Sequence, residues 1–136
     1  MSYVVLVLMA IQAAAGVLLL VGWMRGARPG GPVVLTHASA GLLTIAFWAL
    51  FLVQGSVWAA WTAFGIMTVG NAVGDSMLVK RWQRMNDSSW GFWRSYGAAI
   101  ASVFAGEMPK RVAFHALFAG VVYFVTLGVC IGASVT

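Results

Sequence analysis

The sequence predicts an all-α integral membrane protein: a bundle of four transmembrane helices, with an amphipathic helix at the membrane interface between the third and fourth. Three observations predict it. Only 8% of the 136 residues are charged while 62% are hydrophobic. Four apolar stretches each approach the roughly 20 residues needed to cross a hydrocarbon core about 30 Å thick. Every Lys and Arg falls into one of two segments, and these share one side of the membrane if all four stretches cross it.

A soluble domain carries about 25% charged residues, because its surface must face water. Here most of the surface must face lipid, and the length allows a single membrane domain over residues 1–136. The net charge of +5 is not a nucleic-acid signal, since the cations stand at the ends of apolar runs and form no stripe. A lone cysteine, Cys130, excludes an internal disulfide, a Cys-rich metal site and a C-x-x-C-H haem attachment. With three acidic residues in the chain, hydrolysis by paired carboxylates is not expected, and no phosphate loop, nucleotide fingerprint, nucleophile elbow or H-E-x-x-H motif occurs.

The first span covers about residues 3–24 and is stopped by Arg25, Arg28 and the turn Arg28-Pro29-Gly30-Gly31-Pro32. It lacks a basic leader, and its apolar run is longer than the 7–15 residues of a signal-peptide core, so it reads as a retained helix. The second span covers about 33–53 and ends at Gln54-Gly55-Ser56. Its start follows Pro32, a residue suited to a helix's first position, where a missing N–H is harmless. The third covers about 57–79 and is stopped by Lys80-Arg81; the fourth covers about 112–133 and follows Pro109-Lys110-Arg111.

Between the third and fourth spans, Trp90, Trp93, Tyr96, Ile100, Val103 and Phe104 recur mostly at three- and four-residue spacing. Asp87, Ser88 and Ser89 offer N-cap chemistry just upstream. This segment, about 88–106, is expected to lie in the interface, with an ordered or re-entrant loop as the alternative.

The basic residues Arg25, Arg28, Lys80, Arg81, Arg84, Arg94, Lys110 and Arg111 make that side cytoplasmic, which places both termini outside in a plasma (inner) membrane. Trp58 and Trp61 at one boundary and Trp23, Trp82, Trp90 and Trp93 at the other suit aromatic belts. Helices two and four also start alike: Pro32 precedes His37-Ala38 and Gly41, and Pro109 precedes His115-Ala116 and Gly120. This hints at two helix hairpins in tandem, in the same orientation. Two G-x-x-x-G runs, Gly70–Gly74 and Gly128–Gly132, would allow close helix approach.

The polar residues inside the spans carry the functional reading. His37 lies five residues past Pro32, His115 five past Lys110 and Asp75 five before Lys80, so each sits roughly 7–8 Å from the cytoplasmic boundary. On the third span Thr68, Asn71 and Asp75 form one stripe. His37 shares a face with Gly41, Thr44 and Trp48, and His115 shares one with Ala119, Val122 and Thr126. Gln12 is placed nearer the outer leaflet, away from this layer. An ionised side chain facing lipid costs about 2.5–3.5 kcal/mol or more, so these groups should turn inward.

Two imidazoles at matched depth on separate helices suit a b-type haem with bis-histidine ligation, in an electron-transfer or membrane-anchor subunit. In this reading His37 and His115 are axial ligands, and Gly41 and Gly120 leave room for the porphyrin. Asn71 or Asp75 holds an imidazole N–H, while Arg25, Arg28, Lys110 and Arg111 meet the propionates. The competing readings are a divalent-metal or proton-transport site built on His37, His115 and Asp75, with Glu107, or a non-catalytic scaffold whose histidines are structural. Expected partners are the lipid bilayer and other membrane subunits or a second copy, with no nucleic acid.

Overall fold

The computed structural model describes residues 1–26 and 29–135. Arg28, expected to end the first span and to meet a propionate, lies outside the described residues. Five α-helices and, among the described residues, no strand make up the fold: α1 Ser2–Arg25, α2 Gly31–Gln54, α3 Val57–Met85, α4 Phe92–Phe104 and α5 Lys110–Ser134. Three of them, α1, α2 and α5, are long and apolar enough to cross a membrane. α3 has the length but is diluted by Thr62, Thr68, Asn71, Asp75, Ser76 and its terminal cations.

The turns follow from local chemistry. Pro32 occupies the first turn of α2, where its fixed φ suits a helix and no N–H is lost from the ladder. Gly55 ends α2 at φ 66°, the left-handed conformation that glycine adopts without a Cβ clash, and its N–H returns to the Phe51 carbonyl at 2.8 Å. The α2–α3 connection is therefore a tight hairpin turn. The expected capping of α4 by Asp87, Ser88 or Ser89 does not occur: its N-cap is Gly91, with no side-chain cap bond, and Ser88 instead accepts the Trp90 N–H at 3.3 Å.

The four long helices close a ring in which α1 packs on α2 and α5, and α3 packs on α2 and α5. Among the described residues α1 does not approach α3 closely, nor α2 α5, so each pair lies on a diagonal of a square. The same sequence shift relates Val5 to Ala63, Met9 to Met67 and Gly16 to Gly74; the first two pairs are buried in one cluster with Trp48, Phe51, Val122 and Cys130. The bundle therefore has the form of two like hairpins, α1–α2 and α3–α5, with α4 inserted into the second. Trp48 is fully buried, and its indole N–H donates to the Ser2 carbonyl at 3.0 Å, which ties α2 to the start of α1.

α4 keeps most of its aromatic stripe on the outside of the bundle. Its small residues Ser95, Ala99 and Ser102, with Val103, turn inward against α3 and α5, while Phe92, Trp93 and Phe104 are exposed. Small side chains let the α4 backbone lie close to α3; the large ones are left on the outside. A second cluster of Leu78, Trp82, Ala99, Val103 and Met108 holds this end together. Gln83 donates to the Trp90 carbonyl at 2.8 Å and to Ser95 Oγ at 2.9 Å, fixing the turn into α4.

Candidate functional site

His37 on α2 and His115 on α5 project along their diagonal and meet inside the square, with ring centroids 6.0 Å apart and an interplanar angle of 77°. Of the residues predicted to share each histidine's face, Thr44 and Trp48 on α2 and Val122 and Thr126 on α5 are buried and Ala119 is half-buried, whereas Gly41 is exposed, so the α2 stripe departs from the prediction at Gly41. Thr44 and Thr126 turn their hydroxyls back to the carbonyls four residues earlier, at 2.8 Å and 2.7 Å, which satisfies them within their own helices.

Each imidazole is seated against a glycine of the opposite hairpin. A Cβ at Gly74 of α3 would come within 2.9 Å of His37 Cε1, and one at Gly16 of α1 within 3.2 Å of His115 Cε1. The glycines that matter are therefore Gly16 and Gly74. Gly41 and Gly120, expected to clear the space, have nothing within 4 Å of a Cβ and leave the rings untouched. Gly70 completes the first G-x-x-x-G run, where an added Cβ would stand 3.0 Å from the Ala40 side chain; this is the close α2–α3 approach. The second run is open, since Gly128 and Gly132 have no neighbour within 4 Å of a Cβ.

The hydrogen bonds place a proton on one ring and leave the other ring incomplete. His37 Nδ1 lies 2.9 Å from the Gly70 carbonyl oxygen. A carbonyl only accepts, so Nδ1 carries a proton and donates it. On the other side the Gln12 amide nitrogen donates to the His115 carbonyl at 3.0 Å and stands 3.4 Å from His115 Nε2. Gln12 is thus part of this layer, contrary to the depth estimate. α1 extends well past the layer toward Arg25, so distance along the helix from Arg25 does not measure how far Gln12 stands from the layer. Within this layer Gln12 Oε1 and His115 Nδ1 are buried without a hydrogen-bond partner. An unpaired buried donor or acceptor costs about 1–3 kcal/mol.

Asp75 does not hold an imidazole N–H. Its carboxylate accepts the Tyr96 hydroxyl from α4 and acts on His37 electrostatically. Tyr96 is therefore a member of the layer that sequence periodicity assigned to an apolar stripe. Its phenol lies above the ordinary pKa of 10, first because it is partly buried, then because of the Asp75 charge and hydrogen bond. Asn71 makes no hydrogen bond to either ring; the Gly70 carbonyl and Gln12 take that place. No group of three or more His, Cys, Asp or Glu side chains that could hold a metal ion forms among the described residues, so the expected set of His37, His115, Asp75 and Glu107 is not assembled. Glu107 is exposed in the α4–α5 turn.

The cations end the helices on the side of this layer. Arg25 is exposed at the end of α1. Lys110 and Arg111 begin α5 at the mouth of a groove of about 340 Å³ between α1 and α5. No protein family, curated protein or solved structure matches this chain.

Proposed function

We propose that the chain is a small b-type cytochrome of the membrane, holding one haem between His37 and His115 and passing electrons to a membrane or soluble partner. One observation carries the reading: two imidazoles on diagonally opposed helices meet at 6.0 Å, each against a glycine where any side chain would intrude. His37 and His115 would hold the group between them, each supplying one imidazole nitrogen. His37 has its Nδ1–H on a backbone carbonyl, the arrangement that orients a ligating histidine and leaves Nε2 for the metal. The unpartnered His115 Nδ1 and Gln12 Oε1 are consistent with a layer completed by a bound group. When bound, haem supplies one-electron chemistry. The chain's own part is to ligate, to exclude water from the layer and to offer positive charge toward the propionates at the cytoplasmic end, with Arg25 and Arg111 as candidates.

In this reading α1, α2, α3 and α5 all span the plasma membrane. α3 carries its polar stripe into the bundle and α4 lies in the cytoplasmic interface, with Trp93 and Phe104 toward lipid. Both termini then lie outside. Gly128 of α5 is exposed and allows close approach of a further helix, so membership of a larger membrane complex, as an accessory or anchor subunit or as a homo-oligomer, is the second reading.

The test is the absorption spectrum of the detergent-purified protein from haem-replete cells. The account expects a Soret band that disappears in His37→Ala and in His115→Ala. Colourless wild-type protein removes the haem reading and leaves the accessory one.

A further inference from the structure

The two seams at which a histidine meets a glycine of the other hairpin are not equally closed. At the α2–α3 seam, Gly70 lets the backbones approach until an added Cβ would touch Ala40 at 3.0 Å. At the α1–α5 seam the residue corresponding to Gly70 is Gln12, whose side chain stands between the helices and bonds to His115. Beside that wedge the seam stays open as the groove of about 340 Å³. Its walls are apolar, from Ala14, Ala15 and Leu18 of α1 and Phe114 of α5, and its mouth carries Lys110 and Arg111. No carboxylate among the described residues is paired with either cation. An apolar channel with two free cations at its cytoplasmic end complements a molecule with an anionic head and a hydrocarbon tail.

We propose that this groove seats one anionic phospholipid, its phosphate between Lys110 and Arg111 and one acyl chain laid along α1 toward Ile11. Ala14 and Ala15 are the small residues that make the channel, and the Gln12 wedge is what separates this seam from its twin. The assignment takes Arg111 for the lipid phosphate and leaves Arg25 as the propionate candidate. It does not depend on haem, because neither His37 nor His115 lines the groove.

The experiment is native mass spectrometry of the full-length protein in detergent, titrated with phosphatidylglycerol and with phosphatidylcholine of the same acyl chains. The expected result is preferential retention of phosphatidylglycerol, reduced on the order of tenfold in the double variant Lys110→Gln, Arg111→Gln. Ala14→Phe, which keeps both charges and fills the channel from the lipid side, loses the preference as well. Glycerophosphate, the head without the tails, does not compete. Equal retention of the two lipids, an undiminished preference in Ala14→Phe, or displacement by glycerophosphate each overturns the proposal. Both cations and Ala14 are exposed, so these variants are expected to fold, and an unchanged elution volume checks it.

Discussion

A methyl group added at Gly74 would stand 2.9 Å from His37 Cε1, closer than carbon atoms pack. Either the imidazole or the α2–α3 approach must give. Overpacking of this kind costs about 1–3 kcal/mol, so Gly74→Ala is expected to lower stability by that order in a denaturing-detergent titration. Gly16→Ala, with 3.2 Å available, is expected to cost less, and Gly120→Ala, which meets nothing, to stay within about 0.5 kcal/mol of wild type. Equal effects at the three positions would contradict the seating of the rings. The histidines themselves were legible in the sequence, because matched distances from helix ends put them in one layer. The glycines were not. Gly41 and Gly120 were chosen as neighbours of the histidines on their own helices, whereas a ring that points across the bundle meets the backbone of another helix. Which helix that is depends on packing, and periodicity along one helix does not encode it.

At the scale of the helix, α4 is held to the bundle partly through the Tyr96 hydroxyl on the Asp75 carboxylate. Tyr96→Phe removes a hydrogen bond and keeps the ring, so a loss of about 0.5–1.5 kcal/mol is expected, read as faster amide exchange along α4. The pH dependence has a definite sign. A phenol whose folded pKa is raised stays protonated in the folded state at a pH where the unfolded chain has lost its proton. Its contribution is full below about pH 10, the unfolded value, and fades as pH rises through the higher folded value. An ultraviolet titration should show one late-ionising tyrosine that is missing in Tyr96→Phe; simple titration of all tyrosines at the ordinary value would contradict this. The helix was visible in the spacing of its aromatic residues, but its orientation was not. Spacing marks an apolar face but does not say whether that face meets the bundle, and Trp93 and Phe104 stand exposed. The inward face is chosen by size: Ser95, Ala99 and Ser102 permit close contact with α3.

For the whole molecule, the long helices and their turns could be read from hydrophobicity and charge alone: α1, α2, α3 and α5 form where helices were expected, α3 continuing to Met85, and three of the four, α1, α2 and α5, are long and apolar enough to cross a membrane. Its overhang beyond Lys80 carries Trp82 and Gln83 into the second cluster and the α4 turn, contacts that a hydropathy window ending at the first cation cannot register. Beyond the short shared pattern at the two histidines, Met9 and Met67 are buried in one cluster and Gly16 and Gly74 each face a histidine ring. Four spans predict that reporters fused at the two termini give the same external signal, and that a reporter inserted near Ser89 gives the cytoplasmic one. Termini on opposite sides would mean that α3 does not cross, and the diagonal arrangement would lose its membrane setting. Haem bound across that diagonal is the central claim, and the haem-to-protein ratio tests it most directly, measured as the pyridine haemochrome of purified wild type, His37→Ala and His115→Ala. The account predicts one low-spin haem per wild-type chain and none in either variant. A wild type without haem, or haem retained in full by both variants, would contradict it.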